Sequence, residues 1–201
     1  MVKIGLDLAF RTCGLAILYE GKLVCDSLII KKKIPVLSVQ YIMVDWVINK
    51  ISSYIDVDTE IYLEDIFKGT FKTLVKIART QGAVVDRLRF IQSTINNPEY
   101  ITAVVARNKV GVNPQCPKVG IQLFVISYFN LPCNLDKKLI DRIQLRVDKY
   151  LSIVNSKEKK DKYLRWKLEE ELKKYSLLVA KETGINEHIA DSAILALAGS
   201  T

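Results

Sequence analysis

Four side chains on three well-separated stretches carry the chemistry this chain can offer. Asp7 interrupts the apolar run IGLDLAF at 4–10, Glu64 ends the run IYLE at 61–64, and the pair His188 and Asp191 opens the apolar stretch HIADSAILALAG at 188–199. Three of the four are carboxylates and the fourth is an imidazole, a donor set that suits a hard divalent cation. Hydrolysis of a phosphodiester needs an activated water and neutralised charge on the phosphate and leaving oxygen. Two metal ions about 3.5–4 Å apart can do both. A carboxylate inside an apolar strand is costly unless it is paired, hydrogen-bonded or ligated, so Asp7 needs a reason to be there. His188 and Asp191 are three positions apart, which puts them on one helix face. That helix is apolar on nearly every side, so it is expected to be buried and Asp191 with it. Glu187 is a rival ligand, although its position also suits the positive end of a helix. Asp65 next to Glu64 points to the opposite side if the strand continues. Asp26, Asp45, Asp56 and Asp86 read as solvent-facing or structural.

The partner for such a site is suggested by charge. The chain has 201 residues, 30 Lys and Arg against 22 Asp and Glu, and a formal net charge of +8. That balance favours a polyanion. Basic residues follow the apolar runs at Lys31, Lys32 and Lys33, at Lys68, Lys72 and Lys76, and at Arg107 and Lys109. A further cluster at Lys157, Lys159, Lys160 and Lys162 reads equally as a solvated helix face. The four cysteines form no CxxC pair and there is one histidine, so a structural zinc site is not expected. Free thiols in an intracellular, reducing compartment are. The N-terminal run reads as a strand and not as a signal peptide, and no apolar run is long enough to span a membrane.

Elements that must position these groups can be read along the chain. Residues 2–9, 12–20 and 23–30 read as three short strands, with Glu20-Gly21 as a hairpin turn. Spacing at Val39, Ile42, Trp46 and Ile51 predicts a helix over 37–53. A fourth strand is expected at 59–64, a long helix at 70–90 with Gly82 inside it, and a turn at Asn96-Asn97-Pro98. A fifth strand is expected at 100–106. Residues 112–135 hold three prolines around IQLFVISYFNL, which leans to helix. Helices are expected at 136–154, at 158–181 and at 187–199, the last capped by Asn186 and stopped by Gly199. The first three strands are joined too tightly for crossovers and should be antiparallel. The later ones are separated by helices and should be parallel. The expected fold is α/β: a mixed five-stranded sheet with helices on both faces, in one domain over 1–201.

With these pieces in order, the chain resembles the RuvC-type Holliday junction resolvases of the retroviral-integrase and ribonuclease H superfamily. The resemblance rests on IGLDLAFRTCGLAIL at 4–18, YLEDIF at 62–67 and HIADSAILALAG at 188–199. It implies a ribonuclease H-like fold with Asp7, Glu64, His188 and Asp191 as catalytic and metal-binding residues. It implies Mg²⁺, two ions per site, with Mn²⁺ as a substitute. It implies a homodimer acting on branched DNA, the four-way junction above all, by paired symmetric nicks. Phe67 would stack at the junction centre, and ARTQGAVVDRL at 78–88 resembles the helix that joins two subunits. The piece VVARNKVGV at 104–112 is similar to a region where Arg107 and Lys109 would contact phosphates. Residues 113–169 depart from the family as a longer helical insertion, which leans toward viral, phage or organellar relatives. Other expectations stay open: a superfamily nuclease for flaps or RNA–DNA hybrids, a junction-binding protein without activity, or an ATPase of the sugar-kinase and actin type.

Overall fold

A computed structural model of the chain describes residues 1–56, 58–65, 70–91, 97–155 and 162–199. Five strands, β1 (Lys3–Leu8), β2 (Thr12–Tyr19), β3 (Lys22–Ile29), β4 (Glu60–Glu64) and β5 (Glu99–Ile101), form one sheet in the order β3-β2-β1-β4-β5. β1 and β2, and β2 and β3, pair antiparallel. β1 and β4, and β4 and β5, pair parallel. The β2–β3 turn uses Glu20 at φ 51° and Gly21 at φ 74°, the paired left-handed residues that a two-residue hairpin needs.

Seven helices complete the described chain: α1 (Val36–Ile51), α2 (Phe71–Ile91), α3 (Ala103–Lys109), α4 (Lys118–Tyr128), α5 (Lys137–Asn155), α6 (Lys162–Thr183) and α7 (Glu187–Ala198). Alternation along β1 divides them between two faces. Ile4, Leu6 and Leu8 point into an apolar cluster shared with Val39, Met43 and Val47 of α1 and Val84 and Leu88 of α2. On the other face Ala16 and Tyr62 join a cluster built from α3 to α7. Each fully buried Leu or Ile contributes about 1.5–3 kcal/mol by leaving water, which stabilises the Ile4, Leu6 and Leu8 face of the central strand. No helix among the described residues is long and apolar enough to cross a membrane.

One element differs from expectation. The fifth strand is not 100–106. It ends at Ile101, and residues 103–109 turn into α3. Thr102 decides this, because its side chain accepts from the Val105 N–H at 3.2 Å and caps a new helix. A local cap outweighs the β-branched pair Val104-Val105. The apolar segment at 121–131 is helical up to Tyr128, as expected. The stretch read as insertion holds α4, α5 and the start of α6, and these three helices share the apolar cluster of α7. Phe67, Lys68, Asn96 and the lysines at 157, 159 and 160 lie outside the described residues. Among the described residues Gly82 has no heavy atom within 4 Å of where a Cβ would sit, so none of them packs closely on it.

Two glycines let α7 lie directly on the sheet. A Cβ at Gly5 would stand 2.0 Å from the Ser192 carbonyl oxygen, and one at Gly14 would stand 2.0 Å from the His188 carbonyl oxygen. Gly14 is the cross-strand partner of Asp7. Gly14→Ala therefore pushes the first turn of α7 off the sheet. It is expected to lower stability by about 1–3 kcal/mol and to displace His188 and Asp191. A shift of the urea midpoint measures it, and an unchanged midpoint would show that α7 is not seated through Gly14.

Candidate active site

Asp7 is next to last in the central strand and only 6% exposed. Alternation turns it toward α7, opposite the apolar face of Ile4, Leu6 and Leu8. β4 runs parallel beside β1 and ends at Glu64, so the two carboxylates emerge at the same end of the sheet. α7 begins at that end. Its Asn186 cap accepts from the Ile189 N–H at 3.0 Å, and the first turn places His188 over Asp7 and Asp191 beside Glu64. All four residues singled out in the sequence are thereby brought into one cluster.

The cluster is densely bonded. His188 Nδ1 lies 2.6 Å from Asp7 Oδ2. The Asp7 backbone N–H donates to Ser192 Oγ at 3.2 Å, and that hydroxyl donates to the His188 carbonyl at 2.7 Å. Asp191 takes Arg107 Nη2 at 3.0 Å and Lys118 Nζ at 3.4 Å. Lys118 also pairs with Glu187 at 3.1 Å. The Glu64 backbone carbonyl accepts from Gln81 Nε2 at 3.0 Å, which ties the end of β4 to α2.

Charge is unevenly shared among the carboxylates. Burial pushes the Glu64 carboxyl up to about 8, helped by the Asp7 charge, a hydrogen bond to Asp7 and the Asp191 charge. Glu64 is therefore protonated at neutral pH and donates to Asp7. For Asp7, burial alone raises the carboxyl, but hydrogen bonds from His188 and Glu64 and the His188 charge outweigh it and leave it lowered. His188 is raised by its hydrogen bond to Asp7, against the opposing effect of burial. Burial first, and then the neighbouring carboxylates, favour the neutral form of Glu64.

Among the described residues no three of these groups are already set around one point as a metal shell. Asp7 is turned onto His188, and Asp191 onto Arg107 and Lys118. The donor chemistry nonetheless fits a divalent cation. Three carboxylates and an imidazole converge, and a 2+ charge relieves the crowding that holds Glu64 neutral.

The basic residues divide into two groups. β3 runs in the same direction as β1, so Lys31, Lys32 and Lys33 leave the sheet at the Asp7 end, all exposed. Arg11 joins them, donating to the carbonyls of Lys31 and Ile34 at 2.8 Å each. Lys72 is exposed on the first turn of α2, and Lys76 Nζ sits 4.7 Å above the Phe10 ring. These lie around the site. Arg107 and Lys109 are placed differently from these, although Lys109 is itself exposed. Arg107 is drawn inward, its side chain 14% exposed, onto Asp191 and the Pro114 carbonyl. Lys109 reaches the Ala198 carbonyl at 3.4 Å, at the far end of α7 from His188. Helix α3 at 103–109 holds both residues against α7, through Asp191 and the Ala198 carbonyl.

Sequence reasoning missed Lys118, Ser192 and Gln81. Ser192 falls one turn after His188, a spacing that marks it as a neighbour. Lys118 follows two prolines and carries no local signal; only the packing of α4 on α7 brings it in. Arg107→Ala is expected to leave Asp191 under-neutralised and to cost about 2 kcal/mol of stability without metal. A thermal melt measures this, and no loss would mean that Lys118 alone suffices.

Solved structures share this architecture. RuvC of Thermus thermophilus in complex with a Holliday junction substrate matches with a TM-score of 0.61 at 13% identity, covering 100% of this chain and 92% of that chain. Another structure of Thermus thermophilus RuvC matches at 0.61 and 14% identity, covering 100% of this chain and 93% of that one. No protein-family model and no curated protein matches the chain. The mixed five-stranded sheet, its strand order and its helices on both faces are those of the ribonuclease H-like fold in the form seen in RuvC.

Proposed function

We propose that this protein is a metal-dependent, structure-selective endonuclease that resolves four-way DNA junctions. The observation that carries the reading is the convergence of Asp7, Glu64, His188 and Asp191 at the end of the central strands. The Glu64 carboxyl, pushed up by burial and by the Asp7 and Asp191 charges, supports a site that takes further positive charge. The fold of a protein solved with a Holliday junction substrate supports the choice of nucleic acid. Asp7, Glu64 and Asp191 would hold Mg²⁺, or Mn²⁺ in its place, with His188 beside them. When bound, the metal supplies an activated water and charge neutralisation at the phosphate.

The chain's own groups divide the remaining work. Asp7 is positioned by the strand and by His188. Lys118 and Arg107 hold Asp191 in place and offset its charge. His188 is the group able to take up or return a proton at the Asp7 side of the site. Lys31, Lys32, Lys33, Lys72 and Lys76 would contact phosphates around the mouth, and Phe67 with Lys68 would lie next to them in sequence. Two sites are needed to nick opposing strands, so the reading includes a homodimer. The exposed Phe71 and Phe90 of α2, and the open flank of Gly82, support that helix as the face for it.

The test is incubation of the purified protein with a labelled immobile four-way junction, a flap, an RNA–DNA hybrid and plain duplex, with and without Mg²⁺. Paired symmetric nicks on the junction alone are expected, with a dimer in sedimentation. Preference for flaps or hybrids would move the substrate within the superfamily. Binding without cleavage in both Mg²⁺ and Mn²⁺ would overturn the enzymatic reading.

A further inference from the structure

The outward face of α6 is unlike an ordinary solvated helix. At 3.6 residues per turn, positions 162, 163, 166, 167, 170, 173, 174, 177, 180 and 181 fall within about 140° of the helix circumference, the exposed Leu177 among them. The opposite face is buried through Leu168, Leu172 and Val179. The outward stripe carries Lys162, Lys167, Lys173, Lys174 and Lys181, all exposed, against one acid, Glu170, which Lys173 holds at 2.6 Å. At one end stand two exposed aromatics. Tyr163 is 72% and Trp166 57% exposed, and their ring centroids are 6.0 Å apart with planes tilted by 37°. Neither ring is needed by the core. The other acids of this helix turn are occupied: Glu169 by Arg165 at 2.9 Å and by Tyr150 at 3.1 Å, and Glu171 by Arg146 at 3.1 Å. Among the described residues Lys162, Lys167, Lys174 and Lys181 make no ion pair.

We propose that this stripe is a second nucleic-acid surface, which takes single-stranded nucleic acid by stacking bases on Tyr163 and Trp166 and lining its phosphates along the lysines. The combination of a cationic track and exposed rings is what binds single strands without sequence preference. The stripe is about 29 Å long, and its Lys181 end lies just before the Asn186 cap of α7. Lys173 and Leu177 of this helix line a cavity that also reaches His188 and Ile29, so the stripe borders a groove that opens on the cluster of Asp7 and His188. The proposal needs neither metal nor cleavage, so it stands or falls apart from the nuclease reading.

The experiment is binding of a labelled 12-nucleotide oligothymidylate to the full-length protein in metal-free buffer, followed by anisotropy and tryptophan emission across a salt series. Vesicles of mixed phosphatidylserine and phosphatidylcholine are titrated alongside. Wild type is expected to bind the oligonucleotide with quenching that disappears in Trp166→Phe. The double variant Tyr163→Ala, Trp166→Ala is expected to lose about tenfold or more in affinity with an unchanged salt slope. The double variant Lys167→Gln, Lys174→Gln is expected to flatten the slope by about 1.4, at about 0.7 for each phosphate contact. All these residues are exposed, and matching melting curves confirm that the variants fold. Affinity of the aromatic variant within twofold of wild type would overturn the proposal. So would binding of the vesicles through Trp166 with none of the oligonucleotide, which would make the stripe a membrane-surface element.

Discussion

Asp7→Asn is expected to abolish cleavage of a four-way junction while leaving junction affinity within a few-fold of wild type. The substitution keeps the shape of the side chain and removes the charge that the site is built around. Loss of one central metal carboxylate removes several kcal/mol of transition-state stabilisation, on the order of 10³-fold or more in rate. On the proposed reading, binding would be carried by surface lysines and would survive. A second readout checks the geometry without activity. The chain has one histidine, so its imidazole signal reports His188 alone. In wild type without metal it should titrate above its ordinary value because Asp7 bonds it, and in Asp7→Asn it should fall back. The sign for stability follows from both partners. The contribution through His188 is full below pH 6.5 and is lost as pH rises through the raised folded value. The contribution through Asp7 is present above 3.8 and is lost as pH falls through the lowered folded value. The pair therefore stabilises most between those limits, and the variant loses that dependence. Wild-type cleavage by a verified Asp7→Asn preparation would remove Asp7 from any metal role.

Glu64→Gln is expected to abolish cleavage and, unlike most substitutions at a buried site, to stabilise the metal-free protein. Glu64 is ordinary in the unfolded chain, near 4.5, and about 8 in the fold. Below 4.5 the carboxyl is neutral in both states. As pH rises toward 8 the unfolded chain ionises it while the folded one holds the proton, so stability falls with pH across that window. Glutamine keeps the neutral hydrogen-bonding shape and removes the dependence. The gain should grow from nothing at pH 4 to about 2 kcal/mol at pH 8, after discounting for partial exposure, or roughly 4–8 °C in melting temperature. Mg²⁺ should stabilise wild type increasingly as pH approaches 8, because binding displaces the Glu64 proton. It should not stabilise Glu64→Gln in this way. A variant no more stable than wild type at pH 8 in chelator would show that Glu64 is not held neutral by its neighbours.

Both predictions use residues visible in the sequence, and the reason they were visible is physical. Asp7 breaks an apolar strand, where an unexplained carboxylate is expensive. Asp191 sits on a helix apolar almost all round. Glu64 ends a strand of alternating pattern. The β2–β3 hairpin, the Asn186 cap and the antiparallel start of the sheet were legible because each depends on a few adjacent residues. Where a local competitor was overlooked the reading slipped. Thr102 caps α3, and that single side chain turned an expected strand into a helix and carried Arg107 inward to Asp191.

What the sequence determined by itself is the set of elements and the unusual acids on them, because strand alternation, helix periodicity and the cost of burying a charge are local. Tertiary structure alone decided how those acids are charged. Glu64 is neutral and Asp7 ionised because β1 and β4 lie side by side and α7 closes over them on Gly5 and Gly14. Lys118 answers Asp191 across 73 residues of chain, an association no spacing encodes. Electrostatic interaction depends on distance through space and on water excluded between groups, and both are set only when the helices have packed.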